Sequence, residues 1–190
     1  MWEASVNTRT ERAKQPVTAM LAGPYGHPFH PILVTVPIGA WAASLVFDVA
    51  SHIVGEPAFL ARGAEWLIAI GVLGALAAAT IGFLDLIAIP SGTRAHRIGL
   101  LHMALNLTVT ALYIVGFAWR HADYPQQSSV GLGQLALSVG AFAVLGISGY
   151  LGGMLSYRYG VRVADESTQA DGFRGVERPA QGGKPWLSRH

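Results

Sequence analysis

Four stretches of the chain stay apolar for long enough to cross a hydrocarbon core about 30 Å thick, which takes about 20 helical residues. They run from Pro31 to about Val54, from Ala64 to Ile89, from Gly99 to Trp119 and from Gly131 to Leu155. None alternates apolar and polar positions as the strands of a membrane barrel do, so the pattern predicts helices. The expected fold is all-α, a four-helix transmembrane bundle over residues 26–163. An N-terminal segment, residues 1–25, precedes it, and a flexible tail, residues 164–190, follows. The tail is polar and turn-rich, with Phe173 and Trp186 as isolated aromatic residues.

Composition supports lipid as the solvent. Only 13% of the 190 residues are charged, about half the roughly 25% of a soluble domain, and the mean hydropathy is +0.40. Cysteine is absent, which excludes disulfides, Cys-ligated zinc, iron–sulfur clusters and thiol catalysis. A net charge of +2 is too small to point to nucleic acid. The positions of the charges say more. Arg9, Arg12 and Lys14 precede span one, Arg94 and Arg97 lie between spans two and three, and Arg158, Arg162, Arg174, Arg178, Lys184 and Arg189 follow span four. Arg62 and Arg120 alone fall on the other side. Because cytoplasmic loops concentrate Lys and Arg, both termini are expected in the cytoplasm and the protein in the inner membrane. The first 30 residues carry charge but no apolar core, so no cleavable signal is expected.

Helices in lipid associate through close packing of small residues. Span two offers Gly71, Gly74, Ala75, Ala78, Ala79 and Gly82, and span four offers Gly140, Gly146, Gly149, Gly152 and Gly153. Both are expected to be packing seams, with the glycines of span four as an alternative berth for a planar cofactor. Pro37 should kink span one. Asp48 and Glu65 fall near the outer surface and are expected to reach interfacial water, or to contact each other or Arg62. No internal repeat is evident; spans one and three each begin near a histidine, but their flanks do not match.

Ionisable groups at membrane depth are functional candidates, and they gather at the cytoplasmic end. His27 and His30 precede span one, Asp85 closes span two, Arg94, His96, Arg97 and His102 enter span three, and Tyr157 and Arg158 close span four. Both His27 and His30 precede prolines, which favours extended or polyproline backbone there, with Pro31 opening the helix and His30 at its cap. Thr93 is placed to cap span three. His102, Asn106, Val109 and Tyr113 share one helix face, and Asn106 is in position to bond His102; a core histidine bonded to a carbonyl or to Asp85 is the plainer expectation for His102.

At these residues the chain resembles a bacterial membrane family known as domain of unknown function 2231. The resemblance rests on Gly26 to Pro31 running into Val36 to Gly39, on Phe47-Asp48, on Gly82 to Asp85 followed by Ile89 to Thr93, on Arg97 to His102 with Asn106, and on Gly149 to Gly153 with Tyr157 to Gly160. It implies a four-helix membrane protein and no activity. The residues themselves admit three readings. In the first, His30 and His102 are the axial ligands of a b-type haem, Arg94, Arg97 or Arg158 pair with its propionates, and the protein passes electrons to a quinone or redox protein. A second haem on His52 and His121 is not expected, since both lie beyond the hydrocarbon core. The second reading is a non-catalytic subunit or anchor of a larger membrane complex. The third is a divalent-metal or proton site built from His27, His30, Asp85, His96 and His102. Enzyme activity is the lesser expectation: there is no nucleotide-binding glycine fingerprint, no serine elbow and no helical His-Glu-x-x-His.

Overall fold

The computed structural model describes residues 11, 13–16, 26–123, 129–171 and 173. The first span is made of α1 (Phe29–Leu33) and α2 (Thr35–Ala50), the second of α3 (Pro57–Ala88) and the third of α4 (Arg94–Asp123). The fourth is α5 (Leu132–Gly153), extended by a π-helical turn over Met154–Arg158, and a short α6 (Glu166–Asp171) follows. Four helices are thus long and apolar enough to cross a membrane. The apolar runs located the hydrocarbon-facing part of each helix rather than its ends. Span two starts at Pro57, about two turns before Ala64, with proline in the first turn where no amide donor is needed. Span three continues past Trp119 to Asp123.

Span one stays helical through Val34, at φ −67° and ψ −17°, between α1 and α2. Proline lacks the N–H that would bond the carbonyl of Leu33 four residues back, so one backbone bond is missing there, while Val34 N to His30 O at 3.0 Å and Ile38 N to Val34 O at 3.2 Å carry the helix past it. The start of the span also differs from expectation. Pro28 is the cap, with φ −72° and ψ 133°, so His30 lies inside α1 and not in polyproline backbone. Pro31 then sits among the first helical residues, whose amides have no intrahelical partner in any case. The Thr93 cap is as expected: its hydroxyl accepts from His96 N at 3.1 Å and donates to the Pro90 carbonyl at 2.8 Å.

The bundle is two matched hairpins, contrary to the expectation of no repeat. Residues 72 positions apart on spans one and three meet across the centre: His30 with His102, Trp41 with Tyr113 and Asp48 with Arg120. Residues 70 positions apart on spans two and four do equivalent work. Gly63 lies against Phe47 and Gly133 against Trp119, each leaving 2.8 Å for an added Cβ. Ala64 and Gln134, Ile68 and Ser138, Gly71 and Ala141, and Ala78 and Ser148 are buried in pairs. Backbones approach in the order one, two, three, four around the bundle, so spans one and three are diagonal and meet through side chains.

The span-two glycines form the expected seam, with Gly71 against Trp41, Gly74 against Val36 and Gly82 against His30. Of the span-four glycines expected to pack, Gly152 alone meets another helix closely, at His102, while Gly140, Gly146 and Gly149 have nothing near. Four-residue spacing describes a flat face but not which way it points.

At the His30 end, chain segments from both sides close over the bundle. Ala13, Leu86, Ile89, Leu155 and Val161 form a small apolar cluster. Arg162, at φ 57°, donates its amide to the Ala13 carbonyl and turns its side chain onto Asp85, Nε to Oδ1 3.1 Å. Beyond it, the part of the tail expected to be flexible contains α6; Phe173 is exposed, and Trp186 lies outside the described residues. The Asp165 carboxylate accepts from Ser167 Oγ and Thr168 N at 2.7 Å each, and the Ser167 bond foremost holds its pKa down to about 2. A pKa below the ordinary 3.8 means that this cap contributes fully above pH 4 and is lost as pH falls through 2. The Thr168 amide should therefore be protected from exchange at pH 5 and lose that protection below pH 2; equal protection at both would refute the cap.

Candidate functional site

His30 and His102 face each other across the bundle, their ring centroids 6.4 Å apart and their planes at 82°. Each ring is held the same way by the other helix of its own hairpin. His30 Nδ1 lies 2.9 Å from the Ala78 carbonyl and His102 Nδ1 lies 2.8 Å from the Ser148 carbonyl. A carbonyl only accepts, so each Nδ1 carries the proton, which leaves Nε2 as a bare lone pair in both neutral rings. One turn beyond each carbonyl is a glycine. An added Cβ would come within 2.8 Å of His30 Cε1 at Gly82 and 3.0 Å of His102 Cε1 at Gly152. Both imidazoles are thus set into notches that only glycine leaves open.

Asn106 bonds His102, as expected. Its amide nitrogen is 3.1 Å from Nε2 and 3.4 Å from Nδ1, and donates to the His102 carbonyl at 2.9 Å. Similar distances to both ring nitrogens put it over the ring face, since an in-plane position would collide with Cε1. The Ser148 hydroxyl completes the setting by donating to the same carbonyl at 3.2 Å.

The wider group expected here does not assemble. Among the described residues no three His, Asp or Glu side chains are placed to hold a metal ion. Asp85 is engaged by Arg162, His96 is half-buried at the start of α4, and His27 is half-buried ahead of α1. Shared depth at one end of the bundle did not bring these groups together, because α1, α3 and α4 present them on different faces. Arg94, Arg97 and Arg158 are all exposed at that end.

At the opposite end a second polar centre forms, in which the partner of Asp48 is Arg120, a contact that was not anticipated. Asp48 is fully buried and takes two bonds from Arg120, Nη1 to Oδ1 2.8 Å and Nη2 to Oδ2 2.7 Å. Arg120 Nη2 also donates to Ser138 Oγ at 2.9 Å. Glu65, 4% exposed, accepts from Arg62 at 2.7 Å and from His121 Nδ1 at 2.9 Å. Of the expected contacts, only that between Glu65 and Arg62 forms; Asp48 reaches neither interfacial water nor Glu65. Lipid-depth carboxylates need an opposite charge, and the repeat delivers one to Asp48 at the matching position. Between the two centres lies an apolar layer of Trp41, Ile68, Val109, Tyr113 and Ala141, in which Trp41 and Tyr113 stack at 4.1 Å and 9°.

No curated protein and no solved structure matches this chain. A family model described as a predicted membrane protein, DUF2231, matches residues 26–165, which contain all four spans and both polar centres. The chain belongs to the DUF2231 family of predicted membrane proteins.

Proposed function

We propose that the protein is a haem-carrying electron-transfer protein of the bacterial inner membrane, with His30 and His102 as axial ligands of one b-type haem. The His30–His102 geometry carries this reading. Metal–imidazole bonds of about 2.0–2.1 Å on opposite sides of one ion set ring centres roughly 6 Å apart, against 6.4 Å here. An Nδ1–H held by a carbonyl is also how metal-bound histidines are commonly oriented. Bound haem would supply reversible one-electron chemistry. The chain's own residues would then keep each Nδ1 on a backbone carbonyl, seat the two rings in the notches at Gly82 and Gly152, and offer Arg94, Arg97 and Arg158 to the propionates. The excess of Lys and Arg at this end supports a cytoplasmic setting for it and for both termini. A membrane quinone or a redox protein is the partner class this chemistry calls for.

Protein purified from cells supplied with haem precursor should show a Soret band that His102→Ala and His30→Ala each abolish. A colourless preparation, or a band unaffected by both substitutions, would overturn the haem reading in favour of a non-catalytic membrane subunit.

A further inference from the structure

Two polar atoms near the Asp48–Arg120 pair have no hydrogen-bond partner although both are buried: the Tyr113 hydroxyl and Arg120 Nε. Tyr113 is 2% exposed and Arg120 5%. Leaving a donor unpaired in a low-dielectric interior costs about 1–3 kcal/mol, so buried orphans call for an unseen partner. The two residues lie on one face of α4, two turns apart. Tyr113 stacks on Trp41 and Arg120 bonds Asp48, so the phenol and the guanidinium belong to adjacent layers of the same pair of spans.

We propose that a water molecule is bound between the Tyr113 hydroxyl and Arg120 Nε, making the Asp48–Arg120 centre a hydrated chamber that exchanges protons with one membrane face only. The chemistry of the donors selects the guest. Arg120 Nε offers a proton, and the phenol both gives and accepts one. A metal cation is repelled by the guanidinium, and an anion has no uncompensated charge to meet because Asp48 already neutralises Arg120. A neutral molecule that donates and accepts satisfies both atoms, and nearby Asp48 and Ser138 oxygens supply the further partners that a buried water needs. Access is one-sided. Toward the histidines the chamber is closed by Trp41, Ile68, Val109 and Ala141. Toward the other end lie further polar groups, Gln134 bonded to Asp123 and Glu65 bonded to His121, whose side chain is 67% exposed. This centre is independent of the haem reading, since it shares no residue with the His30–His102 pair.

Water-edited solid-state NMR of the isotopically labelled full chain in lipid bilayers tests the proposal. Magnetisation from water should reach Tyr113 Cζ and Arg120 Nε while Ile68 and Val109 stay dark. Tyr113→Phe, which keeps the stacked ring, should shift the Arg120 Nε resonance and cut its transfer several-fold. Transfer to Arg120 Nε no greater than to Val109, or a Tyr113→Phe spectrum with unchanged shift and transfer at Arg120, would overturn it.

Discussion

Arg120→Leu is expected to destabilise the bundle by about 3–5 kcal/mol, the cost of stranding one member of a buried ion pair. Asp48, 0% exposed, would lose both donors that now satisfy its carboxylate. The lost terms are two charge-assisted bonds from the guanidinium to the carboxylate and one to Ser138. Burying two charges is itself costly, so removing both should be milder than removing one. The double variant Asp48→Leu with Arg120→Leu should recover a large part of the loss. Unfolding of the purified protein in detergent by SDS or heat measures both. A single variant within about 1 kcal/mol of the parent, or a double variant at the sum of its parts, would show that the pair contributes little to stability.

The helices were legible in the sequence because lipid leaves few alternatives: a continuous apolar run of that length has to satisfy its own backbone. The Thr93 cap was legible because the cap is made by a side chain. That His102 bonds a carbonyl was expected, but which carbonyls hold the two rings, those of Ala78 and Ser148, was not legible, since a carbonyl leaves no trace in residue identity. The repeat was hidden for a related reason. Trp41 stands opposite Tyr113, and Asp48 opposite Arg120, so matching positions carry complementary side chains rather than identical ones. One signal was present: His30 to Asp48 and His102 to Arg120 have the same separation of 18 residues. A separation of 18 residues is about 27 Å of helix, nearly the thickness of the hydrocarbon core. That places one polar pair near each membrane face and explains why neither can be reached from the other through the aromatic layer.

The same complementarity sets a limit in the middle of the bundle, where Gly71→Ala should cost about 3 kcal/mol, the upper part of the usual range for overpacking. An alanine Cβ there would overlap Trp41 Nε1 and lie 2.8 Å from Cε2. The indole has nowhere to go: it is 1% exposed, stacked on Tyr113 and bonded through Nε1 to the Ile68 carbonyl. At the matching position of the other hairpin the small residue is Ala141, also buried, and the facing ring is the smaller Tyr113. Ring size and residue size thus trade off between the halves. Gly140→Ala, with nothing within 4 Å of its Cβ, should instead gain about 0.5–1 kcal/mol from helix propensity. Shrinking the ring should relieve the first variant, so that Gly71→Ala combined with Trp41→Tyr is more stable than Gly71→Ala alone. Unfolding midpoints of these variants decide the matter. Equal stability of Gly71→Ala and Gly140→Ala, or no relief from Trp41→Tyr, would mean that the indole is free to repack and that the aromatic layer is not the rigid seal between the two polar centres.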